Sequence, residues 1–306
     1  MRIKPSHNSN LVSYLRDIRD ALFLRKPAGR FLTVAADDRF LVSYPRSGNT
    51  WTRFLIANLI QQSPVTFESI DHLIPDIYLI TDRALSRIPK PRILKSHEPY
   101  DPRYPLVVYL VRDPRDALIS RYYYALKWGA FSDDYPMEQF ADRFVSGTAD
   151  LYHRTGPWGD HVLSWIAMRA GQPNFLILRY EDLKRDMQRE LTRLASFMKL
   201  EVDEARLARA IEWSSAERMR ELDLKQPLDL LKSTRRDVPF VRTGVAGGWR
   251  SQLSEISVRK IELAWWPLMN LLGYETVSTF DNGSIRPQVN EELCAGLAKL
   301  GLIAPL

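Results

Sequence analysis

Short unbroken apolar runs alternate along this chain with stretches whose apolar residues recur at helical spacing. Phe40-Leu41-Val42-Ser43-Tyr44 has the length of a strand and stops at Pro45, which disfavours helix in the position before it. Ser47-Gly48-Asn49 is turn chemistry, and from Thr50 to Leu59 the residues Trp51, Phe54, Leu55 and Leu59 share one helical face. Strand, tight turn, helix is the layout of a phosphate-binding loop. The pattern predicts further strands over 92–95, 106–111 and 174–178. The 106–111 run shows no polar alternation and reads as a strand buried on both faces of a parallel sheet. Helical spacing predicts helices over 114–126, 137–144, 158–169, 184–198, 204–211 and 254–263. The fold class is therefore α/β, a central parallel sheet flanked by helices with P-loop-like nucleotide-binding architecture and its sites at the strand C-termini.

Less regular stretches frame this core. Residues 11–24 read as a short amphipathic helix, followed by Pro27, Gly29 and two aspartates before the first strand. Residues 224–248 carry Pro, Gly and basic residues with little periodicity, and so long an irregular segment reads as a lid or binding loop. Length alone fits one large α/β domain or two smaller ones. The expectation is a single domain over 1–306, with its core at about 38–275, an N-terminal extension over 1–37 and a tail over 276–306.

Composition narrows the function classes. An apolar content of 45% and a charged content of 26% fit a folded globular chain rather than a disordered one. The net charge of +6 suits an anionic ligand, but no run of five or more Lys/Arg appears, so a nucleic-acid partner is not expected. The single Cys294, beside Leu293 and Leu297, cannot form an internal disulfide or a cysteine zinc cluster and reads as a small buried hydrophobe. No stretch approaches the ~18 apolar residues of a membrane span. The N-terminus lacks an apolar core of signal-peptide length, so a cytoplasmic protein with no membrane partner is expected.

Four motifs carry candidate chemistry. Tyr44-Pro45-Arg46-Ser47-Gly48-Asn49-Thr50-Trp51 offers consecutive backbone N–H groups, side-chain donors and a fixed cation at a helix start, which together favour an anion. It has one glycine and no Gly-Lys-[Ser/Thr] ending, so it is not a Walker A loop; an ordinary polar-capped turn is the bland alternative. Arg112 follows the 106–111 strand and Ser120 lies about two turns into the next helix, a pair suited to a second phosphate unless Arg112 merely pairs with Asp113 or Asp116. Of the five histidines, only His97 sits at a strand C-terminus with a lysine, Lys95, two residues away. Arg242-Thr243-Gly244-Val245-Ala246-Gly247-Gly248-Trp249-Arg250 is a glycine-rich loop flanked by arginines, or else a plain connector.

Together these motifs resemble the soluble, cytosolic type of sulfotransferase dependent on 3′-phosphoadenosine 5′-phosphosulfate (PAPS). The family's Tyr-Pro-Lys-Ser-Gly-Thr-Thr-Trp matches 44–51 except at Arg46 and Asn49, and its Lys-[Ser/Thr]-His matches 95–97. Its Arg-x-x-[Arg/Lys]-Asp-x-x-x-Ser matches 112–120, its Tyr-Glu-Asp matches Tyr180-Glu181-Asp182, and its Arg-Lys-Gly-x-x-Gly-x-Trp matches 242–249 with Thr243 in the lysine's place. The matches keep the family order from about 45 to 250. The resemblance implies that Arg46, Ser47, Gly48, Asn49, Thr50 and Trp51 hold the 5′-phosphosulfate, with Trp51 also near the adenine. It implies that Arg112, Ser120, Arg242, Thr243 and Gly244 surround the 3′-phosphate, that Tyr180 contacts the adenine, and that 224–248 closes as a lid. His97 would be the general base, with Lys95 and Arg46 supporting charge on the transferring group.

Such chemistry needs no metal. Sulfuryl transfer is an in-line displacement with charge on peripheral oxygens, so positioning and positive charge carry it, and an acceptor hydroxyl or amine must lose a proton. Three departures stand out: Arg46 for lysine, Thr243 for lysine, and Ala216 near the place of an aromatic residue against the adenine. No match to the family's dimerisation motif lies around 250–260, which leaves the oligomeric state open. Tyr78, Tyr122, Tyr123, Trp128, Phe131 and Tyr152 are candidate walls for a small-molecule acceptor, flat or apolar. The competing readings are a P-loop nucleotide kinase or NTPase, which requires a Walker lysine and an acidic magnesium ligand, a non-catalytic nucleotide binder, and a nucleic-acid binder.

Overall fold

The computed structural model describes residues 26–61, 63–149 and 155–278; the expected helix over 11–24, Tyr152, Cys294 and the tail after Phe280 lie outside them. Four strands, β1 (Arg39–Ser43), β2 (Ile93–Ser96), β3 (Leu106–Val111) and β4 (Phe175–Arg179), pair in parallel in the order β2-β1-β3-β4. Each lies within one residue of its expected position. In the register, Phe40 sits between Leu94 and Val107, and Val108 opposite Leu176. Phe40, Val42, Val107, Tyr109 and Val111 face one core, whereas Leu41, Val108 and Leu110 face the other. Both faces are thus buried, which is why the β3 sequence lacks alternation.

The helices follow in chain order. They are α1 (Asn49–Ile60), α2 (Ile70–Leu73), α3 (Asp82–Leu85), α4 (Pro114–Lys127), α5 (Met137–Val145) and α6 (Trp158–Arg169). Then come α7 (Tyr180–Arg185), α8 (Met187–Phe197), α9 (Glu204–Trp213), α10 (Ala216–Lys225), α11 (Trp249–Gln252) and α12 (Glu255–Leu271). Phe54, Leu55, Leu191, Leu194 and Leu207 from α1, α8 and α9 cover one sheet face. Leu118, Phe140, Phe144, Trp158, Trp165, Ile261 and Leu268 from α4, α5, α6 and α12 cover the other.

Two helices differ from expectation for identifiable reasons. The run over 184–198 is two helices, because Asp186 leaves helical dihedrals and its carboxylate accepts the Arg189 N–H at 3.1 Å as the N-cap of α8. The helix expected to end at 263 continues to Leu271 across a bend at Trp265, where Pro267 removes an N–H from the ladder. α2, α3, α10 and α11 lie outside the expected helices; Ser215 caps α10 by accepting from the Arg218 N–H.

Sheet order places the site. β1 leads to β2 on one side and β3 to β4 on the other, so the switch point lies between β1 and β3, where α/β sheets open a crevice beyond the strand ends. The loops that leave β1 and β3 are the ones carrying Arg46–Gly48 and Arg112.

Candidate active site

A cavity of about 970 Å³ opens at that switch point. Its wall includes Arg46, Gly48, Asn49, Thr50, Trp51, Lys95, His97, Arg112, Ser120, Tyr180, Arg242, Thr243 and Gly244. Segments separated by up to about two hundred residues therefore meet in one space. Of the residues expected to hold the nucleotide or carry catalysis, Ser47 alone does not line it; its hydroxyl is fully buried with no hydrogen-bond partner among the described residues.

The first turn is shaped by Gly48, the N-cap of α1, whose φ of 96° suits glycine. A Cβ there would stand 2.5 Å from the Tyr180 ring, so only glycine lets Tyr180 lie against the turn. The first N–H groups of α1 have no acceptor within the helix and run along the cavity wall. Asn49 turns inward, donating to the Ser43 hydroxyl at 3.1 Å, so its side chain ties the turn to β1 rather than lining an anion site. Trp51 donates to the Ser214 carbonyl at 2.8 Å and meets Tyr180 edge-on at 5.5 Å. Ala216 begins α10 just beyond that carbonyl and also lines the cavity.

Arg46 has φ 70° and sends its guanidinium between the rings of Tyr124 and Phe240, 4.7 and 4.6 Å from their centroids. Its Nε donates to Ser120 Oγ at 3.1 Å and an Nη to the Phe240 carbonyl at 3.2 Å. Burial lowers its pKa to about 10, with Arg112 and Arg121 adding to the effect and Tyr124 opposing it, so it stays a cation at neutral pH. Tyr124 and Phe240 escaped the sequence reading because a helix aromatic and a loop aromatic carry no motif signal.

Arg112 pairs with neither Asp113 nor Asp116. It donates to the carbonyls of Arg46 and Val245, at 3.3 and 3.1 Å, and lies over the Tyr180 ring at 4.4 Å. Its Nε is buried with no partner among the described residues. The neighbouring acids do structural work instead. Asp113 caps α4 and grips Arg115 at 2.7 Å, and Arg115 reaches Glu262 at 2.5 Å. Asp116 accepts from the N–H groups of Gly247 and Trp249, at 2.7 and 2.9 Å, which moors the 242–249 loop to α4. Glu181 accepts from the Asp113 N–H and the Tyr274 hydroxyl, both at 3.0 Å, and so fixes the corner after β3.

The irregular 226–248 segment is held along the cavity. Asp223 accepts from the N–H groups of Phe240 and Val241, Lys127 donates to the carbonyls of Arg235 and Val238, and Tyr180 donates to the Gly244 carbonyl at 2.9 Å. Arg242 lies over Tyr123 at 4.5 Å and donates to Gln252 at 2.8 Å.

His97 sits at the other end. Its Nδ1 lies 2.7 Å from the Ser43 carbonyl oxygen, which can only accept, so Nδ1 carries the proton and Nε2 of the neutral ring carries the lone pair. His161 Nε2 donates to the His97 carbonyl at 3.0 Å, and the Tyr109 hydroxyl meets His161 Nδ1 at 2.8 Å. Lys95 is ion-paired with Asp76 at 2.5 Å, a partner absent from the sequence reading. Tyr78 lines the cavity as expected, as does Trp128, whereas Tyr122, Tyr123 and Phe131 pack against the core. Phe31, Leu79, Pro99, Glu98, Arg30 and Lys26 complete the wall near His97.

The donor set fits a mononucleotide that carries two separate anionic groups, as PAPS does. Helix-start amides, the unpartnered Arg112 Nε, the Ser120 hydroxyl and Arg242 converge, with Trp51 and Tyr180 as flat surfaces between them. Among the described residues no cluster of three acidic, histidine or cysteine side chains could hold a metal, and no helix is long and apolar enough to cross a membrane.

Comparison with known proteins agrees. The sequence pattern of the sulfotransferase domain family matches residues 36–273. Rat (Rattus norvegicus) sulfotransferase 2A1 is 31% identical over 240 residues, covering 72% of this chain and 80% of its own. Mouse (Mus musculus) sulfotransferase 2B1 is 29% identical over 237 residues, covering 72% and 68%. The crystal structure of mouse sulfotransferase SULT7A1 complexed with 3′-phosphoadenosine 5′-phosphate (PAP) superposes with a TM-score of 0.62 at 26% identity, covering 78% of this chain and 86% of that one. Retinol dehydratase in complex with retinol and PAP has the same fold, with a TM-score of 0.63 at 21% identity over 82% of this chain and 86% of that one. This chain belongs to the sulfotransferase family and is a PAPS-dependent sulfotransferase.

Proposed function

We propose that the cavity at the switch point binds PAPS at its arginine-rich end and a small-molecule acceptor hydroxyl, or amine, at its His97 end. The observation that carries this reading is the meeting of the 45–51 turn, Arg112, Ser120, Tyr180 and Arg242–Gly244 with His97 and Lys95 in one wall. The 5′-phosphosulfate lies along the α1 start, Arg112, Ser120 and Arg242 hold the 3′-phosphate, and Trp51 and Tyr180 flank the adenine. Arg46 touches Ser120 and so spans both phosphate groups; as a cation between two rings it stabilises charge rather than donating a proton.

In the reaction the acceptor oxygen bonds to sulfur, the bond from sulfur to the 5′-phosphate oxygen breaks, and PAP leaves. His97 Nε2 takes the acceptor proton as the new bond forms. The Ser43 carbonyl holds the ring in the tautomer this requires. Positive groups around the peripheral oxygens stabilise the transferring group, as in phosphoryl transfer.

The acceptor end mixes Phe31, Tyr78, Leu79 and Pro99 with Glu98, Arg30 and Lys26. This supports a flat or apolar acceptor that presents a polar group. The described residues act as one catalytic domain in this proposal, and a cytoplasmic site of action accords with the single cysteine. Calorimetric titration with PAP, adenosine 5′-phosphate and ATP·Mg²⁺ tests the nucleotide assignment. Selective PAP binding is expected, and preference for ATP·Mg²⁺ would overturn it in favour of a kinase-like site.

A further inference from the structure

The segment after α2 adds an extra rung to the sheet. Lys95 N–H donates to the Pro75 carbonyl at 2.9 Å and Ile77 N–H to the Lys95 carbonyl at 3.2 Å, so Asp76 lies beside Lys95 in parallel register. The Asp76 carboxylate then works in two directions. One oxygen meets the Lys95 ammonium at 2.5 Å, and the other accepts the Tyr78 N–H at 3.0 Å. Tyr78 in turn accepts the His97 N–H at 3.3 Å, donates to Glu98 at 2.9 Å and stacks along His97 with ring planes 11° apart. Both side chains of the ion pair are buried, yet both line the cavity. An ammonium has three donors, and among the described residues Asp76 takes the only hydrogen bond from Lys95, leaving two for a bound group.

We infer that Asp76 is a positioning residue for sulfuryl transfer. It holds the Lys95 ammonium against the cavity with donors to spare and, through Tyr78, fixes the backbone at His97. The inference rests on the reading that Lys95 meets the sulfuryl group. A pre-aimed cation needs no rearrangement as charge develops on the sulfuryl oxygens.

The pair also sets a proton balance. Burial lowers the Lys95 pKa, with Arg53 from α1 adding to that, while Asp76 and Asp71 from α2 oppose it and the Tyr78 ring lies 5.5 Å away. Without the Asp76 charge the ammonium must lose its proton at a lower pH, so its contribution disappears sooner as pH rises.

The wild type, Asp76→Asn, Asp76→Glu and Lys95→Met together provide the test. Affinities for PAPS and PAP are measured from neutral to alkaline pH, with sulfate release from PAPS in a single turnover, water serving as acceptor, as a second readout. PAP lacks the sulfuryl group, so the preference for PAPS over PAP reports contacts to that group. In Asp76→Asn the preference and sulfate release fall by roughly tenfold at alkaline pH. Their alkaline limb also moves to lower pH, while PAP affinity holds. Asp76→Glu keeps the charge and the wild-type limb but displaces the ammonium, which lowers the preference by a few-fold; it carries the test should Asp76→Asn not fold. A wild-type preference and limb in both variants, or equal losses of PAP and PAPS affinity, would overturn the inference. If Lys95→Met matches the wild type, it is the reading of Lys95 that fails.

Discussion

The two ends of the cavity are built by different means. At the nucleotide end, three short motifs leave the C-termini of neighbouring strands or their following helices, and backbone geometry fixes most of the donors. Arg112 is held by two carbonyls and a ring, and Arg46 by a hydroxyl, a carbonyl and two rings. At the acceptor end the wall comes from 26–31, 76–79 and 97–99, and side chains from separate loops create the chemistry. An end made from local turns can be conserved as short words in a sequence, whereas an end assembled from loops can change its specificity one side chain at a time.

The largest expected effect separates the ends outright. His97→Ala removes the proton acceptor without touching the phosphate contacts, so turnover should fall by about 10²–10⁴-fold. PAP affinity, measured by calorimetry, should stay near the wild-type value. Retained turnover would remove His97 as base; a parallel loss of PAP binding would show that the two ends are not separable. At the other end, Arg112→Ala deletes a charge-assisted contact and the donor that has no partner among the described residues. PAP binding should weaken by about 1.5–3 kcal/mol. Unchanged affinity would show that the 3′-phosphate is held elsewhere.

Legibility in the sequence follows the same division. The four strands and the 44–51 turn were readable because burial on both faces of a parallel sheet leaves unbroken apolar runs, and because Pro45 and Gly48 punctuate the turn. The motif after β3 was readable as a unit, but not its division of labour. Arg112 faces the cavity while Arg115, three residues on, is buried between Asp113 and Glu262 across 147 positions of chain. Asp76 left no signal at all. Its importance comes from a single bridge between an irregular segment and the β2 edge, and neither periodicity nor motif spacing records such a contact. The aromatic wall was half legible, since Tyr78 reaches the cavity while Tyr122 and Phe131 stack into the core with Phe140. Aromatic composition cannot distinguish a pocket wall from a core.

The smallest expected effect concerns the one departure that lies at the seam between the ends. Arg46 stands where the motif resemblance leads one to expect lysine, and its planar guanidinium fills the gap between Tyr124 and Phe240 while two of its donors are already engaged. Lysine would keep the charge but not the stacked plane or the fork. Arg46→Lys should therefore weaken PAP binding by about 1 kcal/mol, the scale of a lost cation–π contact. The Phe240 segment should also loosen, because its carbonyl loses a hydrogen bond and its ring loses the stacked guanidinium. Faster amide exchange at 238–243 in the variant, with His97-dependent turnover otherwise intact, would show that this arginine serves the lid as well as the phosphates. Unaltered exchange would mean that Asp223, which binds the N–H groups of Phe240 and Val241, and Lys127, which donates to the Val238 carbonyl, hold the segment without Arg46.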